Sequence, residues 1–237
     1  MRPLDVVPAI VVVPLLAVLP APAEGHLFHQ IFEVRDNQLT KDYLVVVRLV
    51  DYTYEKFDLA DDVYRGEQRV RLKPGGFRTW LRRSMEPGMV FKAEYQIHRW
   101  TGSLEGECQR LDRAYGTTLH RRIETGLTAH DADAVKVAFR EMFFHLIREV
   151  FDAMEVRLDQ REAPAQLYEF LARYFSVSQE AFLNINHRAS AVALRAVLDA
   201  VERTLGDPER GTPPSPEAFA QQRARFLRTL GQVLGVS

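Results

Sequence analysis

One cysteine, Cys108, stands in a chain of 237 residues, so no intramolecular disulfide can staple the fold and an apolar core must hold it alone. The flanking residues specify no base that would activate the thiol, and a small apolar filler is the expected role for it. Charge of one sign is also missing: 31 Lys and Arg face 32 Asp and Glu, leaving a formal net charge of −1. A chain so balanced has no broad field with which to collect nucleic acid or an anionic membrane surface. The basic pairs Arg82-Arg83 and Arg121-Arg122 are too short to track a phosphate backbone, so no nucleic-acid partner is expected.

The sequence also has no His-Glu-x-x-His zinc helix, no Gly-x-Ser-x-Gly elbow, no phosphate-binding glycine loop and no dinucleotide fingerprint. These absences turn the reading away from an enzyme. They leave open a site assembled from residues far apart in the chain.

What is present is the composition of a folded protein, 46% hydrophobic and 27% charged, in a chain long enough to bury a substantial core. The N-terminal segment reads as an address. Arg2 precedes an apolar run from Val6 to Leu19, and Ala21-Pro22-Ala23 places small residues where a signal peptidase reads. Residues 1–23 are thus expected to be a signal peptide, with 24–237 forming a single periplasmic or secreted domain. Pro8, Pro14 and Pro20 interrupt the run, and no second apolar stretch approaches spanning length, so no stable transmembrane anchor is expected after cleavage.

Within the mature chain, Leu27 to Arg35 and Tyr43 to Val50 are rich in β-branched and aromatic residues on either side of Asp36-Asn37-Gln38, the pattern of a β-hairpin. Asp58, Asp61 and Asp62 suggest a polar connection, and Gln68 to Leu72 a short strand. Met89 to Arg99 alternates apolar and polar residues with the period of a half-buried strand. Ser103 to Glu124 is ambiguous, its helical spacing weakened by Gly106 and Gly116. From residue 128 onward helical periodicity takes over. Asp131 or Thr128 caps a long helix, Pro164 opens a shorter one, a third runs from Ser178 to Leu205, and Ser215-Pro216 starts the last. The expected fold class is α+β, with a mainly antiparallel β region over 26–100 packed against a bundle of about four helices over 128–235.

Three groups of residues carry candidate chemistry. Cleavage after Ala23 would leave Glu24-Gly25-His26 at the terminus, whose amine, two amide nitrogens and imidazole suit square-planar copper or nickel. Cleavage after Gly25 would leave His26 with His29 nearby. Glu141, His145 and Glu149 recur at four-residue intervals and climb one side of the long helix, as a metal-binding or proton-relaying set or as an intrahelical hydrogen-bonded ladder with Arg140 or Arg148 neutralising its carboxylates. Asn184, Asn186 and His187 interrupt the third helix and could approach that ladder. Trp80, Tyr95 and Trp100 could line a groove or fill the core. The leading expectation is an exported noncatalytic binding or accessory protein of the cell envelope or exterior, with a protein or small-molecule partner. The alternatives are a copper- or nickel-binding protein using His26 and the mature terminus, and a hydrolase built around Glu149 and His145.

Overall fold

The computed structural model describes residues 37–51, 54–68, 101–160, 163–207 and 210–236, all within one compact unit spanning Phe32–Ser237. Of these residues 78% are helical and none lies in a β-strand, so the protein is a helical bundle and the expected α+β class does not hold. In chain order the described elements are α1 (Gln38–Leu49), α2 (Phe57–Arg65), α3 (Leu104–Tyr115), α4 (Leu119–Thr128), α5 (Ala132–Glu155) and α6 (Ala163–Phe175). A π-helical turn (Ser176–Glu180) comes next, then α7 (Ala181–Asn186), α8 (Arg188–Thr204) and α9 (Pro216–Leu234).

The departure from the expected hairpin starts at Asn37 and the Val45-Val46-Val47 run. Asn37 is an N-cap and not part of a turn: its side-chain oxygen accepts the Thr40 amide at 2.9 Å, satisfying one of the first-turn donors of α1. Leu39, Tyr43, Val46 and Val50 then recur at three and four residues and are buried, so the β-branched run is carried in a helix by its packing face. Asp58, Asp61 and Asp62 belong to α2, whose opposite side buries Phe57, Ala60, Val63 and Tyr64. That helix ends at Gly66 with φ +82°, where a Cβ would also fall 2.9 Å from the Ser103 side chain. The remainder of the expected β region, including Leu27 to Arg35, residues 69–72 and Met89 to Arg99, lies outside the described residues, as do Trp80, Tyr95 and Trp100.

The ambiguous stretch resolves into α3 and α4, broken at Gly116 (φ +69°). Asp112 makes the corner. Its carboxylate accepts the Leu119 and His120 amides at 2.6 and 3.1 Å and the Thr117 hydroxyl at 2.6 Å, capping α4 from the preceding helix. The long helix begins where expected, with Asp131 accepting the Ala134 amide at 2.9 Å, and the helices opening at Pro164 and Pro216 also form. The third expected helix is not continuous: a π turn, short α7 and a break at His187 (φ −142°, ψ 52°) precede α8.

Helix α5 is the axis, packing against α4, α6 and α9 and touching α1 and α3. Two aromatic clusters fill its sides. Tyr43 meets Phe139 and Phe143 edge-on at 5.4 and 4.6 Å, while Phe226 of α9 lies 5.4 Å from Phe151 and 5.6 Å from Phe175. Among the described residues no helix is long and apolar enough to cross a membrane.

Candidate functional site

Because α5 is enclosed by neighbours, Met142 through Ile147 are all buried, and His145 falls inside this run. The imidazole is 4% exposed and its Nδ1 has no hydrogen-bond partner. Its ring stacks on Tyr115 at 4.5 Å and meets the Phe144 ring edge-on at 5.4 Å. Burial pulls its pKa below the ordinary value, with Arg148 adding to the shift and Glu141, Glu149 and Asp112 opposing it. The ring is therefore held neutral.

The two carboxylates of the ladder are turned to separate arginines from other helices. Glu141 pairs with Arg122 of α4. Glu149 accepts both Arg110 Nη1 and Nη2 at 2.7 Å, a bidentate pair, and the Tyr115 hydroxyl at 3.3 Å. Arg110 also donates from Nε and Nη2 to the fully buried Glu107, at 3.1 and 2.8 Å. Burial and the adjacent Glu149 charge push the Tyr115 phenol up to about 12. Arg110 and Glu107 were not singled out in the sequence, although their i, i+3 spacing on one helix is a legible pairing signal.

A cleft of about 680 Å³ opens beside this ladder. It is bounded by the corner between α3 and α4, the side of α5 from Val137 to His145, Phe182 of α7 and the C-terminal turn of α9. Arg140 and Phe182 are the residues that sequence reasoning did not bring together. The Arg140 guanidinium sits 4.2 Å above the Phe182 ring, and burial lowers its pKa, with Tyr43 and Asp133 acting in the opposite direction. No carboxylate among the described residues lies within ion-pair distance of it.

The π turn positions Phe182. One extra residue in a helix rotates the downstream segment by about 100° relative to an unbroken α-helix. The turn also buries Gln179, whose Nε2 donates to the Arg140 carbonyl at 2.9 Å. Thus the interrupted helix does approach the ladder, but through Phe182. Asn184, Asn186 and His187 are not buried, and the His187 ring lies 5.4 Å from the Phe182 ring.

Cys108 is buried with its Sγ 3.5 Å from Met142 Sδ, and burial pushes its thiol well above the ordinary range, consistent with a filler. His26 and His29, the candidate copper or nickel ligands, lie outside the described residues. Among the described residues no group of three or more His, Cys, Asp and Glu side chains is arranged to hold a metal ion. No family model matches the chain, and neither a curated protein nor a solved structure is detectably similar to it.

Proposed function

We propose that this chain is a noncatalytic binding protein, exported by its N-terminal segment, that takes a small ligand into the cleft beside His145. The observation that carries the reading is the imidazole itself: 4% exposed, with an unpartnered Nδ1, on the wall of a cleft of about 680 Å³. An unsatisfied buried polar atom costs about 1–3 kcal/mol, and one in a residue that lines a cleft is a candidate for a functional role. The cleft volume falls in the range of small-molecule sites. Catalysis has less support, because Arg110 grips both oxygens of Glu149, the residue a hydrolase would need as base or nucleophile.

Ligand-observed NMR of the full chain against a mixed library of neutral, anionic and cationic small molecules tests the reading. Val137→Trp is the control, since Val137 borders the cleft, is 46% exposed and accepts an indole without disturbing the core. Ligands that bind the wild type and are lost in Val137→Trp support the proposal. If no compound of any charge class behaves so, the cleft is not a binding site. Export is checked separately by replacing Leu15 and Leu16 with Arg, which should retain the precursor inside the cell.

A further inference from the structure

Resting on the proposed binding role of the cleft, we infer that it selects a small organic monoanion with an apolar body, its anionic head held by Arg140. Beside the neutral phenol of Tyr115, four ionisable side chains line the cleft: Arg122, Arg140, Glu141 and His145. Arg122 and Glu141 neutralise each other in an ion pair, and the buried imidazole carries no charge. Among the described residues the remaining charge, that of Arg140, has no carboxylate within ion-pair distance, Asp133 acting on it only from farther away.

A half-buried guanidinium without a carboxylate at ion-pair distance is a costly arrangement, since desolvation weakens its charged form and nothing returns the lost hydration. Phe182 covers one face of the group, and a cation over an aromatic ring recovers only part of that cost. The planar fork of N–H donors at its edge matches a carboxylate in bidentate fashion. A single cation suits a monoanion; a dianionic phosphate would bring a second negative charge beside Glu141 with nothing to meet it.

The rest of the lining is mixed, Tyr115, Thr117 and Thr118 supplying polar surface beside five apolar side chains. Val137, Phe182, Val233, Leu234 and Val236 are the apolar part of it. A ligand carrying an apolar portion would cover them, and Val137 is among the exposed large hydrophobics of the surface. Gln179 fixes the carbonyl of Arg140 from behind, so the backbone that presents the guanidinium is held by the π turn.

Isothermal titration of the full chain with decanoate, decyltrimethylammonium and decanol separates charge from apolar content. Decanoate should bind the wild type at least tenfold more tightly than either of the other probes. Arg140→Met should weaken decanoate at least tenfold, Arg140→Lys should restore part of the loss, and Arg225→Met, an exposed arginine on α9, should change nothing. Circular dichroism of each variant confirms the helical fold. Should Arg140→Met not fold, the comparison of the three probes on wild type and on Val137→Trp still decides. Equal binding of the cation or the alcohol, undiminished decanoate binding by Arg140→Met, or no binding of decanoate to the wild type would each overturn the anion assignment. The mixed-library result in Val137→Trp shows independently whether the cleft binds ligands at all.

Discussion

Replacing His145 with Phe should make the unliganded protein more stable, an unusual outcome for a change at a buried position. The phenyl ring keeps the stack on Tyr115 and the edge contact with Phe144 while removing Nδ1, the atom without a partner. Relief of an unsatisfied buried polar atom is worth about 1–3 kcal/mol, against which a slightly larger ring costs about 1 kcal/mol if the adjacent cleft gives it room. The expected net gain is about 1 kcal/mol, or a rise of about 2–4 °C in Tm for a chain of this size. A pH arm sharpens the test. The folded pKa of His145 is depressed below 6.5 by burial, Arg148 adding to the effect while Glu141, Glu149 and Asp112 oppose it. Between that depressed value and 6.5 the unfolded chain binds a proton that the folded chain refuses, so the wild type loses stability as pH falls through this window. Above 6.5 neither state is protonated and the contribution vanishes. Urea unfolding at intervals from pH 7.5 to pH 5 should therefore show the advantage of His145→Phe widening as pH drops. A variant less stable than wild type by 1 kcal/mol or more at pH 7.5, or two profiles that run parallel, would refute the reasoning.

Phe226→Ala removes a fully buried ring packed on Phe151 and Phe175 and should cost about 3–5 kcal/mol in urea unfolding; a loss under about 1 kcal/mol would contradict the aromatic packing. Asn37→Ala loses both the α1 cap and the donation from Asn37 Nδ2 to the Tyr174 hydroxyl at 2.9 Å, with an expected cost of about 1–2 kcal/mol by the same assay. Asp112→Ala strips the cap from α4 and should cost about 1–2 kcal/mol, read also as a loss of helical ellipticity on mild heating. Arg110→Met should destabilise by about 3–5 kcal/mol by breaking a buried carboxylate pair, whereas Arg140→Met should stay within about 1 kcal/mol of wild type; equal losses would show that Arg140 serves the fold.

The helical half was legible because its punctuation is local. Asp131, Pro164 and the Ser215-Pro216 pair sit where a cap or a first-turn proline must sit, and periodic apolar residues come after each of them. The first helix was missed for a reason the structure makes plain. Asn37 serves turns and caps alike, and Val45-Val46-Val47 has the local preference of a strand; the deciding term for a helix is the tertiary contact of Tyr43 with Phe139 and Phe143, about a hundred residues away. The π turn left no mark either, since Ser176 to Glu180 keeps a helical composition while gaining one residue per turn. At the site, the spacing of Glu141, His145 and Glu149 placed them on one side of a helix, but the partners that fix their roles come from α3 and α4, and the corner that brings those helices in is built by Asp112.

The polar groups in and around α5 divide by what they do for folding. Arg110, Glu107 and Glu149 satisfy one another, Arg122 answers Glu141, and Asp112 closes a helix end, so each can be accounted for by the bundle alone. Arg140 and His145 cannot: one is a desolvated cation with no carboxylate beside it among the described residues, the other a buried ring with a nitrogen that bonds to nothing. Both lie on the wall of the same cleft, carried by one helix, the axis of the bundle. Buried polar atoms without a hydrogen-bond partner also occur in Asp61, Gln179, Glu180, Gln222 and Arg223, none of which lines the cleft, so what bears on the proposed site is the juxtaposition of these two groups. Their meeting at one concave surface, with Phe182 stacked on Arg140 just after a π turn, is the arrangement on which the proposed ligand site rests and which the Arg140 and Val137 variants test.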